Sequence, residues 1–143
     1  MNCYQYYQEK AAALNVIDKA FIDGQFVSSI SKQTFACINP ATQEVLAEVV
    51  SCDHHDADLA VASARKAYQS GVWSRLAPVE RKTILLKLAD LIEENAEEFA
   101  LLDTLDMGKP IAESSGFDVP TTIACLRWSA EAADKVYGEI APT

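Results

Sequence analysis

The spacing of apolar residues changes near residue 53, and that change limits the folds that this chain can form. Residues 20–50 contain short runs rich in β-branched and aromatic side chains, bounded by turn residues, as in strands. From Asp53 onward the apolar residues recur with the helical period of 3.6. The sequence therefore predicts an α+β fold, in which N-terminal strands or hairpins precede three to four helices.

Turn residues divide the strand region into two predicted hairpins. In residues 21–27 the pair Asp23-Gly24 lies between β-prone residues, which is a strong short-range hairpin signal. In residues 34–50 the pair Asn39-Pro40 starts a turn, because proline fixes φ. Residues 1–20 mix apolar and polar positions as a helix does, and we expect them to form a helical leader.

Cap and stop residues place the helices. Asp53 is a suitable N-cap for a first helix, which Gly71 would end. Pro78 suits the first position of the second helix. The third helix is predicted from about Ala96 to Met107, and the last one from about Ser115 to Tyr137.

The apolar faces of the predicted helices must pack against other parts of the structure. The second helix presents one such face, made of Ile84, Leu85, Leu88, Leu91 and Ile92. Burying five side chains of this kind would contribute on the order of 8 to 15 kcal/mol. In the third helix we expect Phe99, Leu102 and Leu105 to face inward and Asp103 outward. Gly108 follows in the left-handed position that ends a helix, and Pro110 prevents continuation.

Charge and hydropathy exclude several partners. The net charge of -9 disfavours nucleic acid and anionic membranes, since both would repel an acidic surface. No stretch approaches the roughly 20 apolar residues that a membrane span requires, and the first residues lack the pattern of a signal peptide. We therefore expect a cytoplasmic protein with small-molecule or protein partners.

Few residues point to chemistry by their spacing alone. The four cysteines are scattered without a C-x-x-C pair, which suits free thiols in a reducing compartment. The pair His54-His55 lies between Asp53 and Asp56 and suggests a metal site. However, adjacent helical histidines are expected to point about 100° apart, so a solvated helix start is the preferred interpretation. The common nucleotide-binding, zinc-protease and acyl-transfer motifs are absent from the sequence.

Several short sequence motifs identify a family by their order along the chain. They are Phe21-Ile22-Asp23-Gly24, Asn39-Pro40-Ala41-Thr42 with Glu44, Ala60-Val61 with Ala64-Arg65, Glu80-Arg81 with Leu85 and Leu88-Ala89, Thr104-Leu105-Asp106-Met107-Gly108-Lys109-Pro110, and Arg127-Trp128 with Ala130. This order resembles the N-terminal part of an NAD(P)-dependent aldehyde dehydrogenase. The resemblance implies a fragment of that family's three-layer α/β fold. Residues 21–137 would belong to its cofactor-binding domain, and residues 138–143 would begin its oligomerisation segment.

The resemblance also implies an activity. In this family a cysteine thiolate attacks the aldehyde, hydride passes to NAD or NADP, and a glutamate-activated water releases the carboxylate. Those residues and the dinucleotide-binding loops are expected beyond Thr143. We therefore assign no catalytic and no cofactor-binding residue, and expect the isolated chain to be inactive. The full-length parent would be a homo-oligomer, a dimer or tetramer, acting on a small-molecule aldehyde without nucleic acid or membrane.

Two features refine these expectations. Residues 134–143 and the turn at Gln43, where the wider family commonly has glycine, resemble members that oxidise an amino-aldehyde in bacterial putrescine breakdown. The family also implies a structural sodium or potassium ion, held here by the backbone carbonyls of Cys37 and Ile38 and by the carboxylate of Asp106. Local capping or pairing of Asp106 is the alternative interpretation.

A second class of function stays open. The chain could be a free-standing interaction module that uses one helical apolar face for docking. That face would consist of Ile84, Leu88, Leu91 and Ile92. The reading frame downstream of codon 143 distinguishes the two hypotheses.

Overall fold

A computed structural model of the chain describes residues 2–135. Its elements are helix α1 (Cys3–Ala13), strands β1 (Ala20–Ile22), β2 (Gln25–Val27), β3 (Thr34–Ile38) and β4 (Val45–Val50), helices α2 (His54–Ser70), α3 (Pro78–Glu94), α4 (Ala96–Met107) and α5 (Ile111–Glu113), a π-helical turn (Ser114–Asp118) and helix α6 (Val119–Ala132). Since α5, the π-helical turn and α6 follow without a break, four helical segments come after the strands within residues 2–135. The predicted α+β order is confirmed.

The strands form two separate antiparallel hairpins, as predicted. In the first, Asp23 and Gly24 have φ of 52° and 78°, the left-handed values that a tight hairpin turn requires. In the second, the N–H of Asn39 donates to the carbonyl of Glu44 at 2.9 Å. Gln43 closes this turn with φ of 63°, a conformation in which glycine is less strained.

Helix α2 begins and ends where the cap residues predict. The Asp53 carboxylate accepts hydrogen bonds from the backbone N–H groups of His55 and Asp56, and Gly71 ends the helix with φ of 84°. Asp56 is buried, and its carboxylate accepts the N–H of Ile30 at 2.9 Å. This bond ties the loop after β2 to the first turn of α2.

The predicted bounds of the last helix are wrong. The helical segment starts at Ile111 and ends at Ala132, whereas the prediction was Ser115–Tyr137. Before Pro120, which has no N–H to donate, the N–H of Val119 reaches the carbonyl of Ser114, five residues back. The wider π-helical turn lets the helical segment continue through the proline without a break. Tyr137 and Gly138 lie outside the described residues.

The core lies between the last helices and is built from small side chains. Its fully buried residues include Ala89 of α3 and Ala100 of α4, which pack against Val119 and Ile123 of α6. The predicted inward face of α4 is therefore partly wrong, because Phe99 is 46% exposed. Small residues let the helices approach closely. The alanines at these close contacts are therefore buried, while the larger Phe99 stays partly exposed.

Much apolar surface is left open by these elements. The chain exposes 10534 Å², whereas a folded monomer of 15.6 kDa is expected to expose about 7,300 Å². On α3, Ile84, Leu88 and Leu91 are 48%, 43% and 47% exposed. None of the described helices is both long and apolar enough to cross a bilayer.

Candidate functional site

The C-terminal end of α4 is where the second hairpin meets the helices. Gly108 ends the helix with φ of 74°, and its N–H donates to the carbonyl of Thr104 at 2.9 Å. A Cβ atom at Gly108 would lie 2.6 Å from Cγ of Pro40. Glycine is therefore required here twice, by its backbone conformation and by the close contact with the Asn39-Pro40 turn.

A hydrogen bond joins β3 to the same end of α4. The thiol of Cys37 donates to Oδ1 of Asp106 at 3.0 Å. This bond raises the pKa of the Cys37 thiol, with burial and the negative charge of Asp106 acting in the same direction. A thiol held in its protonated form is a poor nucleophile. Cys37 at this position suits a structural role better than a catalytic one.

The residues predicted to hold a monovalent cation meet at this junction. Cys37 and Asp106 are in contact, and Ile38 follows Cys37 in the strand. The pairing of β3 with β4 shifts between Cys37 and Ile38, where Cys37 faces Ala47 but Ile38 faces Val45. A bulge of this kind disrupts the regular ladder of backbone hydrogen bonds. Carbonyl and carboxylate oxygens at such a place are donors that suit a hard cation.

A second cluster surrounds the lysine that follows Gly108. The Lys109 ammonium bonds to Asp118 and lies 3.9 Å from the Asp103 carboxylate. Ser114, which is fully buried, donates to Asp103 at 2.8 Å and accepts from Thr104 at 3.2 Å. The cluster joins the end of α4 to the π-helical turn. Sequence reasoning missed it and placed Asp103 outward, because its partners lie 6 to 11 residues further along the chain.

The ion pairs fix the protonation of Lys109. Its pKa is raised, first by the hydrogen bond to Asp118 and then by the negative charges of Asp118, Asp103 and Glu113, against the opposing effect of burial. The ammonium is therefore charged at neutral pH and engaged by carboxylates. Lys109 holds the segment after α4 against the π-helical turn and does not offer a free amine for chemistry.

A third group lies at the start of α2. The rings of His54 and His55 have centroids 3.8 Å apart, and Nδ1 of His55 lies 3.4 Å from Oδ1 of Asp53. The expectation that the two imidazoles point apart is wrong. The helical angle fixes only the directions of the Cβ atoms, and side-chain rotation in an open first turn brings the rings together. All three residues are exposed.

Comparison with known proteins identifies the lineage. The aldehyde dehydrogenase family matches residues 26–143. Aminoacetaldehyde dehydrogenase from Pseudomonas aeruginosa is 49% identical over 136 residues, which are 95% of this chain and 27% of that protein. The NADP/NAD-dependent aldehyde dehydrogenase PuuC from Escherichia coli is 45% identical over 138 residues, 96% of this chain and 28% of that protein. The chain spans a little over a quarter of the length of these relatives.

Solved structures agree with the sequence comparison. The γ-glutamyl-γ-aminobutyraldehyde dehydrogenase of Burkholderia cenocepacia superposes with a TM-score of 0.95 at 45% identity, over 97% of this chain and 28% of that one. The indole-3-acetaldehyde dehydrogenase of P. syringae, in complex with NAD+ and IAA, gives a TM-score of 0.97 at 48% identity, over 100% of this chain and 29% of that one.

Proposed function

The chain belongs to the aldehyde dehydrogenase family, and we propose that it is the N-terminal part of an enzyme that oxidises a small-molecule aldehyde to a carboxylate with NAD or NADP. The observation that carries this proposal is the agreement over 97–100% of the chain with enzymes that are 45–48% identical. One of those structures is a complex with NAD+, which supports the choice of cofactor.

An amino-aldehyde of polyamine breakdown is the substrate class that we propose. Two relatives support it by their names, one acting on aminoacetaldehyde and one on γ-glutamyl-γ-aminobutyraldehyde. The indole-3-acetaldehyde enzyme is similar to nearly the same degree, so the test must include an aromatic aldehyde. We propose further that the full-length protein acts in the cytoplasm as a homo-oligomer, a dimer or tetramer.

The described residues are proposed to act as scaffold. The thiol of Cys37 is stabilised in its protonated form, and Lys109 is engaged by carboxylates. Neither supports nucleophilic chemistry in the isolated chain. The open apolar faces, such as that of Leu88 and Leu91, would pack against the remainder of the enzyme. We therefore expect the 143-residue chain alone to be inactive.

Turnover measurements test this function. The complete coding sequence would be expressed and assayed for NADH and NADPH formation with aminoacetaldehyde, γ-glutamyl-γ-aminobutyraldehyde and indole-3-acetaldehyde. We expect oxidation, with the two amino-aldehydes preferred, and none from the 143-residue chain. NAD-linked oxidation by the short chain would contradict the scaffold role. Preference for the indole substrate would contradict the substrate class but leave the reaction type standing.

A structural sodium or potassium ion is proposed at the junction of β3 and α4. The backbone carbonyls of Cys37 and Ile38 and the carboxylate of Asp106 would hold it, supported by the bulge and by the contact between the two elements. Potassium or sodium chloride should then raise the melting temperature of the full-length protein above its value in choline chloride at equal ionic strength.

A matched pair of variants makes the cation test specific. Asp106→Asn should abolish the difference between the salts, whereas Glu98→Gln, a change of the same charge on an exposed residue of the same helix, should preserve it. Equal melting temperatures of the unchanged protein in all three salts would reject the site.

An interaction module remains the second candidate function. The exposure of Ile84, Leu88 and Leu91, with Ile92 half-buried beside them, is the observation that favours it. A stop codon directly after codon 143, together with a stable monomer or heterocomplex, would support this candidate. An open frame that continues into a cofactor loop and a nucleophilic cysteine would support the dehydrogenase.

A further inference from the structure

The start of α2 carries a cluster of potential metal ligands that the dehydrogenase function does not use. We propose that Asp53, His54 and His55 together bind one divalent transition-metal ion. Each residue offers a ligand atom, and these atoms lie within 4.8 Å of one another. The two imidazole rings are brought together, with centroids 3.8 Å apart, in the open first turn of the helix.

The ligand atoms are near one another but would have to rearrange to form a coordination sphere. Zinc takes histidine nitrogen and carboxylate oxygen at about 2.0 to 2.2 Å, so neighbouring ligands of a tetrahedral site are roughly 3.3 to 3.5 Å apart. Nδ1 of His55 lies 3.4 Å from Oδ1 of Asp53, the oxygen that caps the helix, so the same carboxylate is beside the imidazole. The other ligand atoms lie within 4.8 Å of one another. To bind one ion, the two imidazole rings, now 3.8 Å apart between centroids, would turn apart by side-chain rotation so that one nitrogen of each faces the metal.

The carboxylate can serve the helix and the ion together. Oδ1 of Asp53 accepts the N–H of His55 at 2.8 Å and that of Asp56 at 3.4 Å. Its Oδ2 makes no hydrogen bond to any residue in the described range 2–135. One oxygen therefore remains for a metal without loss of the cap.

The donor set selects the class of metal. Two imidazole nitrogens and one carboxylate suit zinc, nickel or copper, whereas magnesium and calcium prefer oxygen alone. The net charge of -9 favours cations, and the single carboxylate offsets the positive end of the helix dipole. Asp56 is not a fourth ligand, because its oxygens accept the N–H groups of Ile30 and Asp53. Water would complete the coordination.

Metal titration of the untagged chain tests the proposal. Calorimetry with zinc and absorption spectroscopy with cobalt should show one ion per chain. His54→Gln and His55→Gln should each weaken binding by about tenfold or more, since each removes a ligand. Asp53→Asn should weaken it as well while keeping α2 intact, because asparagine caps helices as well as aspartate does. Far-UV circular dichroism checks that helix content is unchanged.

The neighbouring thiol provides the control. Cys52, directly before Asp53, is a free and exposed cysteine that could bind zinc by itself. Cys52→Ser should leave the affinity unchanged, and the cobalt complex should lack the charge-transfer band of a thiolate ligand. The proposal is overturned by a thiolate band, by loss of binding in Cys52→Ser, by unchanged binding in both histidine variants, or by the absence of saturable binding. None of these outcomes depends on the dehydrogenase function.

Discussion

At the scale of single residues, one glycine determines how closely the second hairpin approaches the helices. Gly108 combines a left-handed φ of 74° with a position against Pro40 where a Cβ atom has no room. Gly24 has nearly the same φ, 78°, but nothing within 4 Å of its Cβ position. Comparing alanine substitutions at the two positions therefore separates the free-energy cost of the left-handed conformation from that of the close contact with Pro40.

Substitution of Gly108 by alanine should loosen the contact between the hairpin turn and α4. Left-handed backbone strain costs about 1 to 2 kcal/mol, and the overlap with Pro40 adds to it. Amides of the turn at residues 39–43 and of the last turn of α4 should exchange with deuterium about tenfold faster or more. Gly24→Ala serves as the control and should leave both segments unchanged. Equal exchange in the two variants would mean that the Pro40 contact contributes nothing.

At the scale of elements, α1 is attached to α4 by exposed polar contacts. The carboxylate of Glu97 accepts a hydrogen bond from the Tyr6 hydroxyl at 2.8 Å and lies 3.0 Å from the Lys10 ammonium. These partners lower the pKa of Glu97, Lys10 first and Tyr6 second. Contacts of this kind are weak and screened by salt, so α1 should be among the first elements to detach.

The attachment of α1 should therefore depend on pH. Because the pKa of Glu97 is lower in the attached state, protons bind more tightly to the detached state. The contribution is complete above the ordinary pKa of glutamate and is lost as the pH falls through the lowered value. NMR titration of the Glu97 carboxyl carbon should show this low pKa, and Lys10→Gln should raise it. The control Lys87→Gln, at an exposed residue of α3, should leave the Glu97 pKa unchanged. An unchanged Glu97 pKa in Lys10→Gln would contradict the contact.

Local signals predicted the bounds of most elements but not their buried faces. The first hairpin, the start of α2 at Asp53 and the end of α4 at Gly108 depend on residues within a few positions. In α4, by contrast, Ala100 is buried and Phe99 is 46% exposed, since the neighbours that cover Ala100 come from α3 and α6. The π-helical turn before Pro120 was missed because a proline also marks ordinary helix starts.

At the scale of the whole molecule, the main property is a large solvent-exposed area. The exposed area of 10534 Å² is far above the roughly 7,300 Å² expected for this mass. The core consists mainly of alanine, valine and isoleucine side chains between three helices. A chain with this much open apolar surface should associate in solution, because association removes that surface from water.

Sedimentation and near-UV circular dichroism test this expectation. The isolated chain should sediment as concentration-dependent oligomers and give a weak near-UV signal. Exchanging Leu88 and Leu91 together for glutamine should reduce association, since both are exposed apolar residues on α3. A monomer with a sharp cooperative melt would show that the chain is stable without burying its exposed apolar residues against a partner.

The sequence by itself determined the order of strands and helices and, through the order of its short motifs, the family to which the chain belongs. Turn and cap geometry depends on φ and on hydrogen bonds between neighbours, which residues such as Asp53 and Gly108 specify locally. Only the tertiary structure decided that Lys109 joins Asp118, that Gly108 meets Pro40, and that the two imidazoles of α2 lie together. These contacts depend on side-chain rotation and on packing between distant segments, which no local pattern encodes.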